Sequence, residues 1–419
     1  MCYLIQILNQ NLSILTNKIY YIIFFCIFSL TFITKKFIPM KKFQFPYFDN
    51  NATTPIDPEV LNIIQEYNQY YYANPSSTAH PLGIICNTLF QQHRQKLANL
   101  LNVREEEVIF TSGSSESINT AIKGLYFQYQ SQKNHIISCV TEHSAVLNTL
   151  QYLQTHHNAK ITLLNVNSNG QIDLNELEKN IQTNTLLVCL MAANNETGVI
   201  HPLQDIYNIT RKKSVLLFSD TTQWFGKSYF TNVPADIFCG SAHKFHGSKG
   251  IGFLVIKNLG RKVFLHSLIH GGEQQKIRSG TIPLPNIAAL THSFEKTILQ
   301  QHQNIPYILS LKQYFEHQLK QKYNIKINGE NTERLVNTSN ITFLENEYEA
   351  VLKLMKKFCY SQASACSDGS GKPSHVLQSM GLSKNEIKRT FRFSFSYLNT
   401  LEEINNYLQQ LDELIHQQL

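Results

Sequence analysis

The stretch SAHKFHGSKGIGFLVIK, residues 241–257, joins two apolar runs through a short polar and glycine-rich connection. The run DIFCG precedes it, and its last six residues, GFLVIK, have the composition of a second strand. Lys244 follows the first run almost directly, beside His243 and before the glycines. A single lysine in such a loop is ordinarily an exposed surface residue, so its role depends on the residues around it.

Alternation of strand-like and helical segments extends back from this stretch to about residue 108. Short apolar runs recur there, and segments with helical periodicity separate many of them. Strands that alternate with helices form right-handed βαβ units, which predicts an α/β fold with a mostly parallel sheet covered by helices. The predicted strands are EVIFT, HIISCVT, ITLLNV, TLLVCLMAA, VLLFSD, DIFCGSAH and GFLVIK.

Polar residues gather at the carboxyl ends of these predicted strands. They occur in the segments TSGSSE, TEHS, NNETG, SDTTQ and SAHKFHGSKG. Ligands of open α/β sheets bind beyond the carboxyl ends of the strands. The sequence therefore predicts a ligand site built from these five segments.

The pattern changes after about residue 285. A long helical stretch, which we expect to be interrupted near Pro306, leads to a strand-like SNITFLE and a helix around EAVLKLMKK. These features predict a large, ligand-binding domain over residues 40–290 and a smaller α+β domain over residues 291–419. The last predicted helix has one apolar face, made by Leu401, Ile404, Leu408, Leu411 and Ile415.

Composition limits the class of protein and the compartment. Hydrophobic residues make up 42% and charged residues 16%, which fits a folded chain. The formal net charge is +7, but three lysines of the first 39 residues leave only +4 for the rest, which gives no reason to expect direct nucleic-acid binding. The eight cysteines are scattered without a C-x-x-C pair, so we expect a reducing, cytoplasmic location.

The first 39 residues differ from the rest of the chain. Residues 19–33, IYYIIFFCIFSLTFI, form an uncharged apolar run that is short for a membrane span and has no small-residue cleavage site after it. Met40 then opens MKKFQFPYFDNNATTP, which has the composition of an ordinary protein start. We interpret residues 1–39 as an upstream extension outside the mature protein; the alternative is a membrane anchor.

Asp220 changes the interpretation of Lys244. It ends the apolar run VLLFSD, where an unpaired carboxylate is costly and needs a cation or strong hydrogen-bond donors. Pyridoxal phosphate (PLP) requires a lysine that can form a Schiff base and a carboxylate that pairs with the pyridinium nitrogen. The two residues therefore predict a PLP site.

A phosphate site should accompany such a pair. TSGSSESIN, residues 111–119, places Gly113, Ser114 and Ser115 where a predicted strand meets a predicted helix. Free backbone N–H groups and the helix dipole favour an anion at that position. Taken alone, the same residues are also typical of a serine-rich helix cap.

His143, in TEHSAVL, also stands between a predicted strand and a predicted helix. It can be a polar cap of that helix. At the edge of a cofactor site, its flat ring could instead stack on the cofactor and transfer protons near neutral pH.

Taken together, these motifs resemble those of cysteine desulfurases of the NifS/IscS type, within the class V aminotransferase-like PLP enzymes. The resemblance begins at Tyr47 and extends to the last helix. It implies the aspartate aminotransferase-like fold, fold type I. The matching motifs are YFDNNATTP, NPSSTAH, FTSGSSESIN, TEHSAVL, NNETGVIHPL, SDTTQ, SAHKFHGSKGIGFL, RSGT, SACS and RFSFS.

The resemblance implies a role for each matching residue. Lys244 would bind the cofactor covalently, and Asn195 and Arg392 would hold the substrate carboxylate, for which a guanidinium is well suited. Thr281, in RSGT, would reach the cofactor phosphate of a second subunit, which implies a homodimer. The other cofactor contacts would come from Asp220 at the pyridinium nitrogen, Gln223 at the phenolic oxygen, His143 stacked on the ring as acid–base, and Ser114, Ser115, Ser241 and His243 at the phosphate.

Cys366 lies in SQASACSDGSGKPSH, residues 361–375, a run typical of a flexible linker. The resemblance implies that its thiolate accepts sulfur from L-cysteine, giving L-alanine and a Cys366 persulfide. A mobile loop would then carry the persulfide to an acceptor protein. Such an acceptor would be an iron–sulfur scaffold or a tRNA-thiolation enzyme.

Two segments depart from the family pattern. RFSFSY has Tyr397 where the family has a second arginine, and HGGEQQKI, before RSGT, is one residue shorter than usual. Other functions also remain open at this stage. A class V aminotransferase or a selenocysteine lyase would share Lys244, Asp220 and His143 without needing Cys366, and a cofactor-free sulfur-relay subunit would bind no PLP.

Overall fold

Seven strands form the larger sheet of the computed structural model, which describes residues 45–272, 277–363 and 373–417. Their order is β1-β7-β6-β5-β4-β2-β3. The pairs β6–β5, β5–β4, β4–β2 and β2–β3 are parallel, whereas β7 runs antiparallel to both β6 and β1. The predicted α/β fold with a mostly parallel sheet is confirmed. The strands are β1 Val108–Thr111, β2 His135–Cys139, β3 Lys160–Leu164, β4 Thr185–Cys189, β5 Leu216–Asp220, β6 Ile237–Ser241 and β7 Gly252–Ile256.

Helices cover both faces of this sheet. Alternate residues of β7 show the two faces. Phe253 packs in one apolar cluster with the helices at residues 81–101 and 284–299, whereas Leu254 packs in another with the helices at residues 114–129 and 144–157. Burial on both faces explains why the strands are nearly continuous apolar runs. The helices in this part of the chain are α1 Pro58–Tyr70, α2 Pro81–Leu101, α3 Ser114–Tyr129, α4 Ser144–His157, α5 Leu174–Asn180, α6 Leu203–Lys212 and α7 Leu284–Leu299.

A second, antiparallel sheet follows in the order β10-β11-β9-β8. It packs around an aromatic core that includes Phe48, Phe315, Phe393 and Tyr407. The division into domains at residues 40–290 and 291–419 stays a prediction. The strands are β8 Ile325–Ile327, β9 Thr338–Phe343, β10 Ser361–Gln362 and β11 Thr390–Ser394, and the helices are α8 Gln301–Lys322, α9 Tyr348–Leu354, α10 His375–Ser379, α11 Lys384–Lys388 and α12 Leu401–His416.

Two details of the helices differ from the sequence-based expectation. The long helical stretch breaks at Gln300, between α7 and α8, and not near Pro306, which lies inside α8. Pro306 is the sixth residue of α8, and the helix continues through it without the N–H that would otherwise bond to the carbonyl of His302. On α12, Ile404, Leu408 and Leu411 are buried as predicted, whereas Leu401, the first helical residue, is exposed.

The segment at residues 47–57 connects the second sheet to the loop after β6. Its Phe48 N–H donates to Cys359 O, and its Asn50 N–H donates to Ser394 O. Further along, the Thr54 N–H donates to His243 O. This segment therefore brings residues 49–53 next to Lys244.

The described part of the chain contains no helix that combines the length and the apolar character needed to cross a bilayer. The interpretation of residues 1–39 as an extension concerns residues outside the described ranges.

Candidate active site

A cleft of about 830 Å³ lies at the carboxyl ends of the parallel strands and reaches the second sheet. Most of the predicted site residues line it. Thr281 does not, and it is exposed elsewhere on the chain. Cys366 lies outside the described residues. The predicted residues that line the cleft are Ser114, Ser115, His143, Asn195, Asp220, Gln223, Ser241, His243, Lys244 and Arg392.

Lys244 enters the cleft from the short 3-10 helix Ala242–Lys244, which follows β6 directly. Its Nζ donates to the main-chain oxygens of Asn51 at 2.6 Å and Ala52 at 2.8 Å. Burial and the nearby Arg392 guanidinium lower its pKa from 10.5 to about 8. A substantial fraction of this amine is therefore neutral at mildly alkaline pH, as a nucleophilic lysine requires.

Asp220 ends β5 and is only 7% exposed. Its Oδ1 accepts hydrogen bonds from the Thr222 N–H at 2.9 Å and the Thr222 hydroxyl at 2.5 Å. Among the described residues, Oδ2 has no hydrogen-bond partner. A buried carboxylate with one oxygen free in a cleft fits a cationic group such as a protonated pyridine nitrogen.

The amino end of α3 provides a site for an anion. Gly113 caps the helix without a side-chain hydrogen bond, so the first N–H groups of α3 remain available. Its φ of 150° suits glycine, and its Cα would lie 2.7 Å from a Cβ added to Gly252 of the neighbouring β7. Ser114 and Ser115 open this helix, and Ser241 lines the same cleft. The arrangement fits a phosphate group.

Glu116 would oppose an anion there, but it is paired. Arg278 of RSGT donates from Nε to Glu116 Oε1 at 2.8 Å, and the Ser112 N–H donates to Oε2 at 2.8 Å. The pKa of Glu116 is lowered despite burial, which raises it, because the hydrogen bonds from Arg278 and Ser112 favour the carboxylate. Arg278 therefore offsets the negative charge beside the anion site.

The two histidines of the site are held in defined orientations. His143 caps α4, and its Nδ1 accepts from the Ala145 N–H at 3.1 Å, so the ring proton resides on Nε2. His143 is thus both a helix cap and a residue of the cleft. His243 Nδ1 lies 3.1 Å from Thr53 Oγ1, and burial beside three lysines lowers the His243 pKa to about 4.

Arg392 stands at the opposite wall of the cleft, on β11. Its Nη2 donates to Asp49 Oδ1 at 2.7 Å and to Ser361 Oγ at 2.9 Å, and its Nη1 donates to Asn195 O at 3.0 Å. Its buried Nε has no partner among the described residues. Three of its five N–H groups therefore hold the guanidinium in place, and Nε–H and the second N–H of Nη1 have no partner among the described residues.

Three contacts at the site were not predicted from the sequence. Lys227, only 5% exposed, donates to Gln223 Oε1. Glu142 is buried beside the cleft and accepts from the Met191 N–H at 2.6 Å; burial and the Asp220 charge raise its pKa well above the usual 4.5. Asp49 pairs with Arg392, as described above. The available signal for Lys227 was a lysine inside a largely apolar run, WFGKSYF.

Tyr397, the departure from the family arginine, does not line the cleft. Its hydroxyl lies 3.4 Å from Asp57 Oδ2, and its ring centroid lies 4.5 Å from that of His246. The substitution therefore affects a neighbouring contact and not the cleft wall. Of the shortened segment 270–277, residues 273–276 lie outside the described ranges.

The fold and the site together define a class of protein. The Aminotransferase class-V family pattern matches residues 46–407, and the chain belongs to that family, whose cysteine desulfurase members use PLP. A cysteine desulfurase of Nostoc sp. is 37% identical to this chain over 375 residues, which make up 88% of this chain and 92% of the relative. This similarity confirms the resemblance seen in the sequence.

Solved structures agree with this assignment. A NifS-like protein superposes with a TM-score of 0.82 at 32% identity, covering 89% of this chain and 100% of that structure. The structure described as SspA in complex with cysteine has a TM-score of 0.75 at 33% identity, covering 85% of this chain and 100% of that one.

Proposed function

We propose that this chain is a PLP-dependent cysteine desulfurase that converts L-cysteine to L-alanine and leaves the sulfur as a persulfide on Cys366. The observation that carries the proposal is the meeting, in one cleft, of Lys244, the free oxygen of Asp220 and the open amino end of α3. Similarity to cysteine desulfurases over most of the chain supports it.

Each part of the cofactor has a matching group in the cleft. Lys244 would bind its aldehyde carbon, Asp220 its ring nitrogen, and Gln223 its phenolic oxygen. Ser114, Ser115, Ser241 and His243 would hold its phosphate, and His143 would stack on the ring. When bound, PLP would withdraw electrons from the α-carbon of an amino acid and so weaken the carbon–sulfur bond of cysteine.

The residues of the chain would orient the substrate and move its protons. Arg392 and Asn195 would bind the cysteine carboxylate, because the guanidinium lines the cleft, is fixed by Asp49 and has a second Nη1–H that no described residue uses. Lys244 Nζ, whose pKa is about 8, and His143 Nε2 would transfer protons near the α-carbon.

Cys366 would receive the sulfur. Ala363, which precedes Cys366 by three residues in the sequence, lines the cleft. On the other side of the loop, Ser374 Oγ donates to Glu196 Oε2 at 2.5 Å, and Glu196 also lines the cleft. In the transfer, the thiolate would form an S–S bond as the substrate C–S bond breaks. The electron pair of the C–S bond would stay on the substrate β-carbon, which would take up a proton to become the methyl group of alanine, so no external oxidant is needed.

Partners follow from the same proposal. The exposed position of Thr281 outside this cleft is compatible with a contact to a second subunit, so we propose a homodimer. The persulfide would pass to a sulfur acceptor, either an iron–sulfur scaffold or a tRNA-thiolation enzyme. The described cysteines are all unpaired, which supports a reducing, cytoplasmic location.

One experiment tests the proposed function directly. The purified protein is loaded with PLP and its visible spectrum is recorded, and L-cysteine is then added and alanine is quantified. We expect a visible absorption band and formation of alanine from cysteine. A protein that binds no PLP, or one that binds PLP and leaves cysteine unchanged, would contradict the proposal.

A further inference from the structure

Lys227 is a buried lysine beside the active site without an assigned role. It is 5% exposed, and its Nζ donates to Gln223 Oε1. Among the described residues no carboxylate pairs with it, and burial together with the charges of Lys244 and Arg392 lowers its pKa well below 10.5. Burying a lysine without a charged partner costs free energy of desolvation. We therefore expect the hydrogen bond that its side chain makes to Gln223 to serve a function.

The contact determines which way the amide of Gln223 faces. Gln223 Oε1 accepts from Lys227, and Gln223 Nε2 donates to Asn51 O at 3.0 Å. Nε2 has two N–H groups, so one remains for a ligand in the cleft that Gln223 lines. A flipped amide would set Oε1 against the Asn51 carbonyl oxygen and lose that hydrogen bond. It would also lose the hydrogen bond to Lys227 whenever that amine is protonated, because an ammonium cannot accept.

Asn51, whose main-chain oxygen accepts from Gln223 Nε2, is itself held in place by other hydrogen bonds. Its main-chain oxygen also accepts from Lys244 Nζ at 2.6 Å. Its side chain is buried, with Nδ2 donating to Thr338 Oγ1 at 2.8 Å and Oδ1 accepting from Asn337 Nδ2 at 2.9 Å. Asn51 is therefore fixed independently of Lys227, and loss of Lys227 would remove only one of the two hydrogen bonds that orient the Gln223 amide.

We propose that Lys227 is a positioning residue that fixes the Gln223 amide with one Nε2–H facing the cleft, ready to donate to the phenolic oxygen of PLP. This inference rests on the proposed function, because it needs a cofactor in the cleft. It does not depend on the charge of Lys227, since a neutral amine and an ammonium both donate.

The test measures the pH midpoint of the visible band of bound PLP in Lys227→Met, and needs no turnover. A donor to the phenolic oxygen stabilises its anionic form, so a misoriented Gln223 should raise the midpoint by about one pH unit. Gln223→Leu should raise it similarly, and Lys227→Met in the Gln223→Leu background should add nothing further, because the two residues act as one unit.

Lys312 offers a matched control for the loss of a buried lysine. It is 4% exposed, its pKa is lowered to about 8, and its Nζ donates to Leu335 O at 2.9 Å, with no contact to Gln223. Lys312→Met should leave the midpoint of the PLP band unchanged, even if it lowers thermal stability. Equal shifts in Lys227→Met and Lys312→Met would overturn the proposal, as would additive shifts in the double variant.

Two other results also have a defined meaning: a Lys227→Met variant that does not fold, and a wild-type protein that shows no PLP band. If Lys227→Met does not fold, Lys227→Gln, which keeps an N–H donor, decides: a wild-type midpoint supports the proposal, and a midpoint like that of Gln223→Leu overturns it. If the wild-type protein itself shows no visible band with PLP, the proposed function fails, and that result differs from any shift among loaded variants.

Discussion

The main-chain oxygen of Asn51 accepts a hydrogen bond from Lys244 Nζ at 2.6 Å, although the two residues are 193 positions apart in the chain. The segment around Asn51 pairs with the second sheet, whereas Lys244 follows β6 of the first. The amine proposed to bind the cofactor is thus held by main-chain carbonyls, which accept hydrogen bonds from it whether or not it carries a proton.

The reactivity of the Lys244 amine should depend on pH with a midpoint near 8, because burial and Arg392 lower its pKa to about that value. The neutral, reactive form gains population as pH rises through the midpoint. Labelling of cofactor-free protein with an amine-acylating reagent, followed by mass spectrometry of each lysine peptide, measures this midpoint, with exposed lysines as the reference. A Lys244 midpoint equal to that of the exposed lysines would contradict the expectation.

Asp220→Asn should slow alanine formation by roughly 10²- to 10³-fold, because it removes the negative charge proposed to face the ring nitrogen. The asparagine Oδ1 can still accept the two hydrogen bonds from Thr222, so the thermal unfolding midpoint should change little. Steady-state alanine assays and thermal unfolding together check this. Wild-type turnover in a folded Asp220→Asn variant would remove Asp220 from the mechanism.

Glu142→Gln should become more stable relative to wild type as pH rises. Burial and Asp220 raise the pKa of Glu142 in the folded protein well above its usual 4.5, so the folded state retains a proton that the unfolded state releases. The wild-type protein therefore loses stability as pH rises above about 4.5, by up to about 1.4 kcal/mol per pH unit until the folded-state pKa is reached.

The glutamine variant lacks this titration but keeps an acceptor for the Met191 N–H. Thermal or urea unfolding of both proteins at pH 5, 6, 7 and 8 measures the difference. A stability difference that stays constant across this range would show that Glu142 does not titrate as the structure indicates.

Arg392→Lys should raise KM for cysteine by at least about tenfold, because a lysine cannot hold Asp49, Ser361 and Asn195 and also present a further N–H to a carboxylate. Arg334→Lys is a matched control. Arg334 pairs with Glu316 through two hydrogen bonds but does not line the cleft. The Arg334→Lys control should be less stable than the wild type but should keep its KM for cysteine. If KM rises equally in Arg392→Lys and Arg334→Lys, the effect is a general structural one and Arg392 has no specific role in binding the carboxylate.

The positions of the main site residues followed from local sequence because each stands at the end of a buried strand. Asp220 ends β5, and Lys244 and His143 follow β6 and β2 within a few residues. A continuous apolar run marks such a strand, and the geometry of a parallel sheet then brings the ends together. The break was expected near Pro306 because proline is a strong helix-breaking signal, yet α8 continues through Pro306 and the chain breaks at Gln300, which carries no such signal.

Partners of the site residues could not be predicted in the same way. Lys227 contacts a residue only four positions away, but its burial depends on packing from the rest of the chain. The pairs formed by Asn51 with Lys244 and by Asp49 with Arg392 join residues separated by 193 and 343 positions. Such contacts depend on how the chain folds back on itself, and no local pattern records them.

Transfer of sulfur to Cys366 is the central claim, and a single-turnover reaction tests it most directly. PLP-loaded protein is mixed with L-cysteine without an acceptor, and both alanine and added sulfur on the Cys366 peptide are quantified. Cys359→Ser is the matched control, since Cys359 is a free thiol that does not line the cleft.

We predict equal amounts of alanine and Cys366 persulfide in the wild type and in Cys359→Ser, and neither product above background in Cys366→Ser. Alanine formation at the wild-type rate in Cys366→Ser, with no sulfur found on Cys366 in the wild type, would contradict the account.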